Sequence, residues 1–220
     1  FHGQIERLSR AGIPVAIVLG NHDHAGASPR AERLPEGVHV FPADRPTSIE
    51  LVPGVWVHGQ SYPTRDIDTD LTLDYPAPVP GALNIGLLHT ALDGHSGEHA
   101  RYAPSSTQTL ASQGYAYWAL GHVHEHWIER GDTTIAYPGN LQGRHIRETG
   151  ARGALLVSAD AGEITEIERI EVDVLRWHAL SVYVSACDDL RSAVRLVGQS
   201  LEQLLDTSPA GLPLAVRVSF

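Results

Sequence analysis

The sequence predicts an α/β fold, because helix and strand patterns alternate at both ends of the chain. Residues 2–11 (HGQIERLSRA) show the apolar spacing of an amphipathic helix, and the fully apolar segment 15–19 follows at once. Near the other end, strand patterns through 180–184 and at 214–218 flank a long amphipathic pattern from about 188 to 205. That order predicts a β-α-β unit.

The first helix has clear limits in the sequence. Ile5 and Leu8 fall on one face, and Gly12 and Pro14 end the helical pattern before the first strand begins. A helix that leads directly into an apolar strand is typical of α/β units.

The middle of the chain consists of short apolar segments separated by turns rich in proline and glycine, such as residues 77–81 (APVPG). A short helix is expected from 105 to 113, capped at Ser105 or Ser106. The segments with strand patterns are 38–41, 55–58, 84–88, 117–120, 133–136 and 154–158.

The pattern of apolar and polar residues changes after Ile170, where the C-terminal β-α-β pattern begins. We therefore expect two domains, a core over residues 1–171 and the start of a smaller domain over residues 172–220. No internal repeat or low-complexity segment interrupts either part.

Composition limits the classes of function. No run approaches the roughly 18 apolar residues of a membrane span, so no membrane association is expected. The lone Cys187 cannot form an intramolecular disulfide, which favours the cytoplasm. A net charge of -10 argues against nucleic-acid binding through a basic face, but not against a nuclease that holds divalent cations.

Polar side chains follow three of the apolar strands. Asn21 and His22 come after segment 15–19, His89 comes after Leu88, and His122 and His124 come after segment 117–120. Imidazole nitrogens suit Mn, Fe, Zn or Ni, and an asparagine amide offers a neutral oxygen. The His122 and His124 pair alone is equally compatible with a His-rich surface turn. The recurrence of such residues at three strand ends favours a metal site.

These motifs resemble the ordered set of the calcineurin-like metallophosphoesterases: residues 20–23 (GNHD), a strand-end His89, and residues 121–124 (GHVH). Three longer strings are similar to the SbcD-related bacterial DNA-repair exonucleases of the YhaO type, namely 102–105 (YAPS), 115–122 (YAYWALGH) and 137–145 (YPGNLQGRH). The resemblance implies a four-layer αββα sandwich followed by the start of a capping domain.

The resemblance also implies roles for the strand-end residues. Asn21, His89 and His122 would hold one of two divalent metal ions, and His124 would contribute to the other. Manganese is the expected metal, with Fe, Zn or Ni as alternatives. His22 would be a catalytic residue beside the scissile phosphate, where its imidazole protonates the departing oxygen.

A glycine-flanked segment supplies the expected substrate contacts. Glycines at 139 and 143 would let the backbone lie close to a phosphate while Arg144 reaches an oxygen. We assign Asn140, Arg144 and His145 to substrate binding, with a plain glycine-rich turn as the alternative.

The sequence departs from the family pattern at its start. The Asp-x-His and Gly-Asp-x-x-Asp motifs, which supply the bridging carboxylate, do not precede Asn21. Residues 93–95 (DGH) match the Asp-x-His pattern, but they lie in a loop after His89, and we interpret them as a decoy. The chain contains no Met, so Phe1 is not expected to be a natural start. We therefore expect an N-terminal truncation and an inactive fragment.

The leading interpretation of the intact parent is a DNA exonuclease in DNA repair that hydrolyses phosphodiester bonds with two metals. The resemblance implies DNA and an SMC-like coiled-coil ATPase as partners, and a homodimer is left open. The alternatives are a small-molecule phosphodiesterase or phosphatase, and a non-catalytic scaffold domain.

Overall fold

The structure, a computed structural model, describes residues 2–24, 34–93 and 102–220 of the chain. The chain divides into two compact units. The first comprises residues 1–139 and 155–168, and the second comprises residues 140–154 and 169–220. The domain boundary expected at 171 stays a prediction. The sequence pattern did not indicate that residues 140–154 group with the C-terminal part.

The first unit holds most of the strands. Its elements are α1 (His2–Arg10), β1 (Val15–Ile17), β2 (Val38–Val40), β3 (Thr47–Val52), β4 (Val55–Gly59), a 3₁₀ turn (Leu71–Asp74), β5 (Leu83–His89), α2 (Thr107–Ser112), β6 (Tyr117–Gly121), β7 (Trp127–Glu129) and β8 (Thr134–Tyr137). The strands β9 (Gly153–Asp160) and β10 (Glu163–Glu171) form a two-stranded sheet whose residues are shared between the two units.

A six-stranded sheet is the main feature of the first unit, with strand order β3-β4-β5-β6-β8-β7. The four inner strands β4, β5, β6 and β8 run parallel, and the edge strands β3 and β7 are antiparallel to their neighbours. A second, two-stranded sheet pairs β1 with β2 in parallel. The predicted α/β class is therefore confirmed.

The parallel strands are apolar because they are covered on both faces. Trp118 and Leu88 are fully buried within the core cluster, and the Trp118 indole N–H donates to the Leu110 carbonyl of α2 at 3.0 Å. Gly86 of β5 faces the same indole, and a Cβ at this position would lie 2.2 Å from the ring. The β5–β6 pair therefore packs closely only because position 86 has no side chain.

Two edge strands, β3 and β7, were not predicted. Each mixes apolar residues with glutamate, as Glu50 and Glu129 show, and β7 is only three residues long. Edge strands are commonly short or charged, so they lack the continuous apolar run that marks a buried strand. Strand β10 was also missed, because the isoleucines of its sequence EITEIERIE lie three residues apart among charged residues and form neither an apolar run nor a strict alternation.

The second unit contains the predicted β-α-β arrangement. Strands β11 (Arg176–Ser181) and β12 (Leu214–Ser219) pair in parallel, and α3 (Leu190–Asp206) connects them. Asp189 and Ser192 form a capping box at the start of α3. Within the part of the chain that the structure describes, no helix is both long enough and apolar enough to cross a membrane.

A buried histidine links three strands of the main sheet. His58 of β4 is fully buried, and its Nδ1 lies 2.7 Å from Ser48 Oγ of β3 while its Nε2 lies 3.0 Å from Asn84 Oδ1 of β5. Asn84 Oδ1 also accepts the Val79 N–H, and its Nδ2 donates to two carbonyls, including that of Val79. Because the Asn84 amide orientation is fixed in this way, His58 Nε2 must carry a proton, and Nδ1 can accept from Ser48.

Burial lowers the pKa of His58, although the hydrogen bond to Asn84 acts in the opposite direction. The fold therefore favours the neutral ring, whereas the unfolded chain protonates near the usual value of about 6.5. Because the unfolded state then binds more protons, the stability that His58 contributes is present above pH 6.5 and is lost as the pH falls through the folded pKa.

We expect the His58→Gln variant to show a weaker pH dependence of stability than the wild type. Glutamine does not titrate, so the variant's free energy of unfolding should fall less steeply between pH 7.5 and 5.5, by up to ~1.4 kcal/mol per pH unit. Urea unfolding across this range measures the slope. Ser48→Ala is the control, since it should lower stability while keeping the histidine's slope. Parallel curves for wild type and His58→Gln would contradict the assignment.

Candidate metal centre

Two of the predicted ligands are neighbours because their strands are parallel and in register. His89 ends β5 and pairs with Gly121 at the end of β6, and the Thr90 N–H donates to the Gly121 carbonyl at 3.2 Å. His122 follows directly, and its ring centroid lies 5.1 Å from that of His89. The register between β5 and β6 therefore places two imidazoles at one edge of the sheet.

Asn21 reaches the same place from the smaller sheet. It lies on the turn after β1, is 5% exposed, and places Oδ1 at 2.9 Å from His89 Nε2. The structure thus brings together Asn21, His89 and His122, three of the four residues expected to hold metal.

Residues just after β4 hold the segment that carries Asn21. The Leu19 N–H donates to Ser61 Oγ at 3.0 Å, and Ser61 Oγ donates to the Phe41 carbonyl at 2.6 Å. The Tyr62 N–H donates to the Leu19 carbonyl at 2.8 Å. These bonds use the backbone N–H and carbonyl of Leu19, so Leu19 does not pair with β2. Strand β1 therefore ends at Ile17 and not at Leu19 as predicted.

Glycines on both sides give the His89 ring its space. A Cβ at Gly20 would lie 2.5 Å from the imidazole, and one at Gly121 would lie 3.1 Å from its Nδ1. His122 has a φ of 102°, a region that side-chain-bearing residues rarely adopt. Unfavourable backbone at a candidate ligand is typical of functional sites, where the surrounding structure enforces it.

Two tyrosines border the histidines. The Tyr62 ring meets that of His89 edge to face, with centroids 5.3 Å apart, and Tyr102 contacts His122 at 5.8 Å. Tyr62 is fully buried, and its hydroxyl has no hydrogen-bond partner among the residues that the structure describes. Sequence analysis did not single out Ser61 or Tyr62. Their position directly after β4 is the same strand-end signal that identified the histidines.

The other predicted residues of the first unit are His22, His124 and the segment 93–95. His22 is exposed on the turn in which the Asp23 N–H donates to the Gly20 carbonyl. His124 is half-buried on the irregular segment after β6. The expected decoy at residues 93–95 lies outside the described residues except for Asp93, which is exposed.

The predicted substrate-binding residues belong to the second unit. The buried Glu148 carboxylate accepts the Arg144 N–H at 2.7 Å, and His145 is exposed with Nε2 at 3.8 Å from Glu148. The Trp177 indole donates to the Gly143 carbonyl at 3.0 Å. The side-chain amide of Asn140 is buried and has no partner within the described part of the chain. The segment is therefore held by its own unit, and its role in substrate binding stays a prediction.

The grouped residues fit one metal ion in donor type and spacing. Ligands at right angles around a metal, each at about 2.1 Å, lie about 3 Å apart, which matches the Asn21–His89 separation of 2.9 Å. The donors are one amide oxygen and imidazole nitrogens, which suit Mn, Fe, Zn or Ni. Among residues 2–24, 34–93 and 102–220, no group of three or more His, Cys, Asp or Glu side chains is arranged to hold a metal. A carboxylate for a second ion is therefore not part of the described site.

We expect Gly20→Ala to destabilise the protein, because the new methyl group would overlap the His89 ring. Overpacking of this kind costs about 1–3 kcal/mol. Urea unfolding measures the change, and histidine NMR spectra should show a shifted His89 ring. Gly3→Ala is the matched control, since a Cβ there meets no atom within 4 Å. If the two substitutions have equal effects, the His89 ring does not occupy this position.

Comparison with known proteins points to the same chemistry. No protein-family profile matches the chain. It is 33% identical over 221 residues to a Bacillus subtilis (strain 168) protein described as "Uncharacterized metallophosphoesterase YhaO". The alignment covers 98% of the chain and 53% of that relative, so the chain spans about half the relative's length. The chain is thus similar to a metallophosphoesterase over nearly all of its own length, and its α/β fold brings Asn21, His89 and His122 together.

Proposed function

We propose that the natural protein containing this chain is a metal-dependent phosphodiesterase, and specifically a DNA exonuclease that acts in repair. The observation that carries the proposal is the convergence of Asn21, His89 and His122, which lie far apart in sequence and share one site. The similarity to a metallophosphoesterase supports phosphoester hydrolysis in general. The choice of DNA rests on the motif resemblance at 102–105, 115–122 and 137–145.

Each residue has a role in this proposal. Asn21, His89 and His122 hold one ion, and His124 contributes to a second, with manganese as the expected metal. Bound metal ions polarise a phosphoryl oxygen and lower the pKa of a bound water. His22 is exposed and follows the buried Asn21 in the chain, so its imidazole is accessible to a substrate and can donate a proton to the departing oxygen.

DNA contact is assigned to the segment after Gly139. Asn140, Arg144 and His145 lie on it, and Arg144 is exposed while its backbone is fixed by Glu148. A net charge of -10 is consistent with a protein that meets phosphate through metals and a few arginines instead of a broad basic face. An SMC-like ATPase partner and a cytoplasmic location complete the proposal, and a homodimer is left open.

The functional test separates ligand from catalyst in the full-length protein. Replacing His122 by Ala removes a donor, so the bound Mn per chain should fall together with turnover. Replacing His22 by Gln should leave the bound Mn nearly unchanged while turnover falls by about 10² to 10⁴, the usual contribution of a positioned general acid. Metal analysis and hydrolysis of bis-p-nitrophenyl phosphate give both readouts.

Loss of Mn from the His22 variant as severe as that from the His122 variant would make His22 a ligand and contradict its catalytic role. Substrate class is tested with linear duplex DNA beside small phosphodiesters. Hydrolysis of the small esters alone would favour the small-molecule alternative, and no hydrolysis of either by a metal-loaded protein would favour a scaffold.

The isolated 220-residue chain is expected to bind Mn weakly and to hydrolyse the generic ester negligibly, because its described donors include no bridging carboxylate. Turnover is measured for this chain and for the full-length protein under the same conditions. Comparable rates would show that a carboxylate outside this chain is dispensable and would contradict the two-metal mechanism.

A further inference from the structure

We propose that Tyr62 is a positioning residue of the metal centre, and that its hydroxyl donates a hydrogen bond to an oxygen that enters with the metal, such as a water. This inference rests on the proposed function, because it requires the site at Asn21, His89 and His122 to take up metal. It accounts for the buried Tyr62 hydroxyl, which has no hydrogen-bond partner among the residues that the structure describes.

The first argument is the state of the hydroxyl. Tyr62 has no exposed surface, and its hydroxyl oxygen has no hydrogen-bond partner in the described part of the chain. An unpaired buried polar group is unfavourable, and nearly all such groups in folded proteins have a partner. Phenylalanine would fill the same space without this cost. A hydroxyl retained here therefore indicates a partner that the protein acquires when the site is loaded.

The second argument is location. The Tyr62 ring packs edge to face on His89, at 84°, and its backbone N–H bonds to Leu19 in the segment that carries Asn21. Tyr62 therefore contacts both elements whose meeting forms the site. Ile67 and Ala103 pack with it as a small cluster, and Leu71 and Tyr102 pack against that cluster. Because the Tyr62 ring lies against His89, an oxygen that enters with a metal at His89 is the partner that we assign to the hydroxyl.

Neighbouring tyrosines show what a structural hydroxyl looks like in this core. Tyr137 donates to the Thr90 carbonyl at 2.7 Å and accepts the Leu92 N–H at 3.2 Å. Tyr75 donates to the Leu87 carbonyl at 3.0 Å. Both hydroxyls are satisfied by protein backbone, which Tyr62 is not. Tyr137 is therefore a matched control, since it is equally buried and its hydroxyl has protein partners.

The experiment compares Tyr62→Phe with Tyr137→Phe in the full-length protein. Thermal unfolding is recorded without metal in EDTA, and again during titration with Mn²⁺ alone. Without metal, Tyr62→Phe should have a Tm equal to or above that of the wild type, while Tyr137→Phe should lose about 2–4 °C. In the titration, Tyr62→Phe should bind Mn²⁺ about 10- to 100-fold more weakly, and Tyr137→Phe should bind it as the wild type does.

The contrary outcomes are distinct. If Tyr62→Phe without metal is destabilised like Tyr137→Phe, or does not fold, the hydroxyl has a protein partner and the inference is wrong. If Tyr62→Phe binds Mn²⁺ as tightly as the wild type, the inference fails while the proposed function stands. If Mn²⁺ does not raise the Tm of the wild type, the metal site itself is refuted, and the role of Tyr62 with it.

Discussion

The close approach of Asn21 Oδ1 to His89 Nε2, at 2.9 Å, is the contact on which the rest of the site depends. It joins the turn after β1, in the small parallel sheet, to the end of β5 in the six-stranded sheet. It forms only because position 20 is glycine, since any side chain there would overlap the His89 ring. The hydrogen bonds of Leu19 with Ser61 and Tyr62 hold the segment that carries Asn21.

The site combines several features that are unfavourable for stability. His122 adopts a positive φ, the Tyr62 hydroxyl is buried without a described partner, and Asn21 is a buried amide. Beneath it, Trp118 and Leu88 form a core that has no such features, with the Trp118 indole N–H bonded to α2. A well-packed core can hold strained or unpaired groups at its edge, and proteins commonly give up stability in this way at functional sites.

The second unit contributes a different kind of rigidity. Its segment from Asn140 to Glu148 is folded by contacts within the unit, since Glu148 binds the Arg144 backbone and Trp177 binds Gly143. The guanidinium of Arg176 meets both Asp173 and Glu171, which lowers the pKa of the Asp173 carboxyl. The backbone of Arg144 is already ordered by these contacts, so less entropy is lost when its side chain binds a phosphate. This supports the proposed contact with substrate without requiring a large basic surface.

The sequence by itself determined the α/β class, the buried parallel strands and the chemistry at their ends. Those features are local: continuous apolar runs mark strands that are covered on both faces, and the residues that follow them are read directly. It also predicted the helix at α3 and a strand on each side, because amphipathic spacing is a local signal, although the strand expected through 180–184 lies at Arg176–Ser181. The edge strands β3 and β7 were not predicted, because a strand at the edge of a sheet lacks the continuous apolar run that marks a buried strand.

Only the tertiary structure shows how these residues meet. In the sequence, the family resemblance gave Asn21, His89 and His122 to one metal ion and gave His22 and His124 separate roles, but it did not show the contacts between them. The register of β5 with β6 and the absence of a side chain at Gly20 brought Asn21, His89 and His122 together and left His22 exposed. The partner-less hydroxyl of Tyr62 and the grouping of residues 140–154 with the C-terminal unit were likewise invisible in sequence. Strand register, close approach and hydrogen-bond satisfaction join residues far apart in the chain, and no local pattern encodes them.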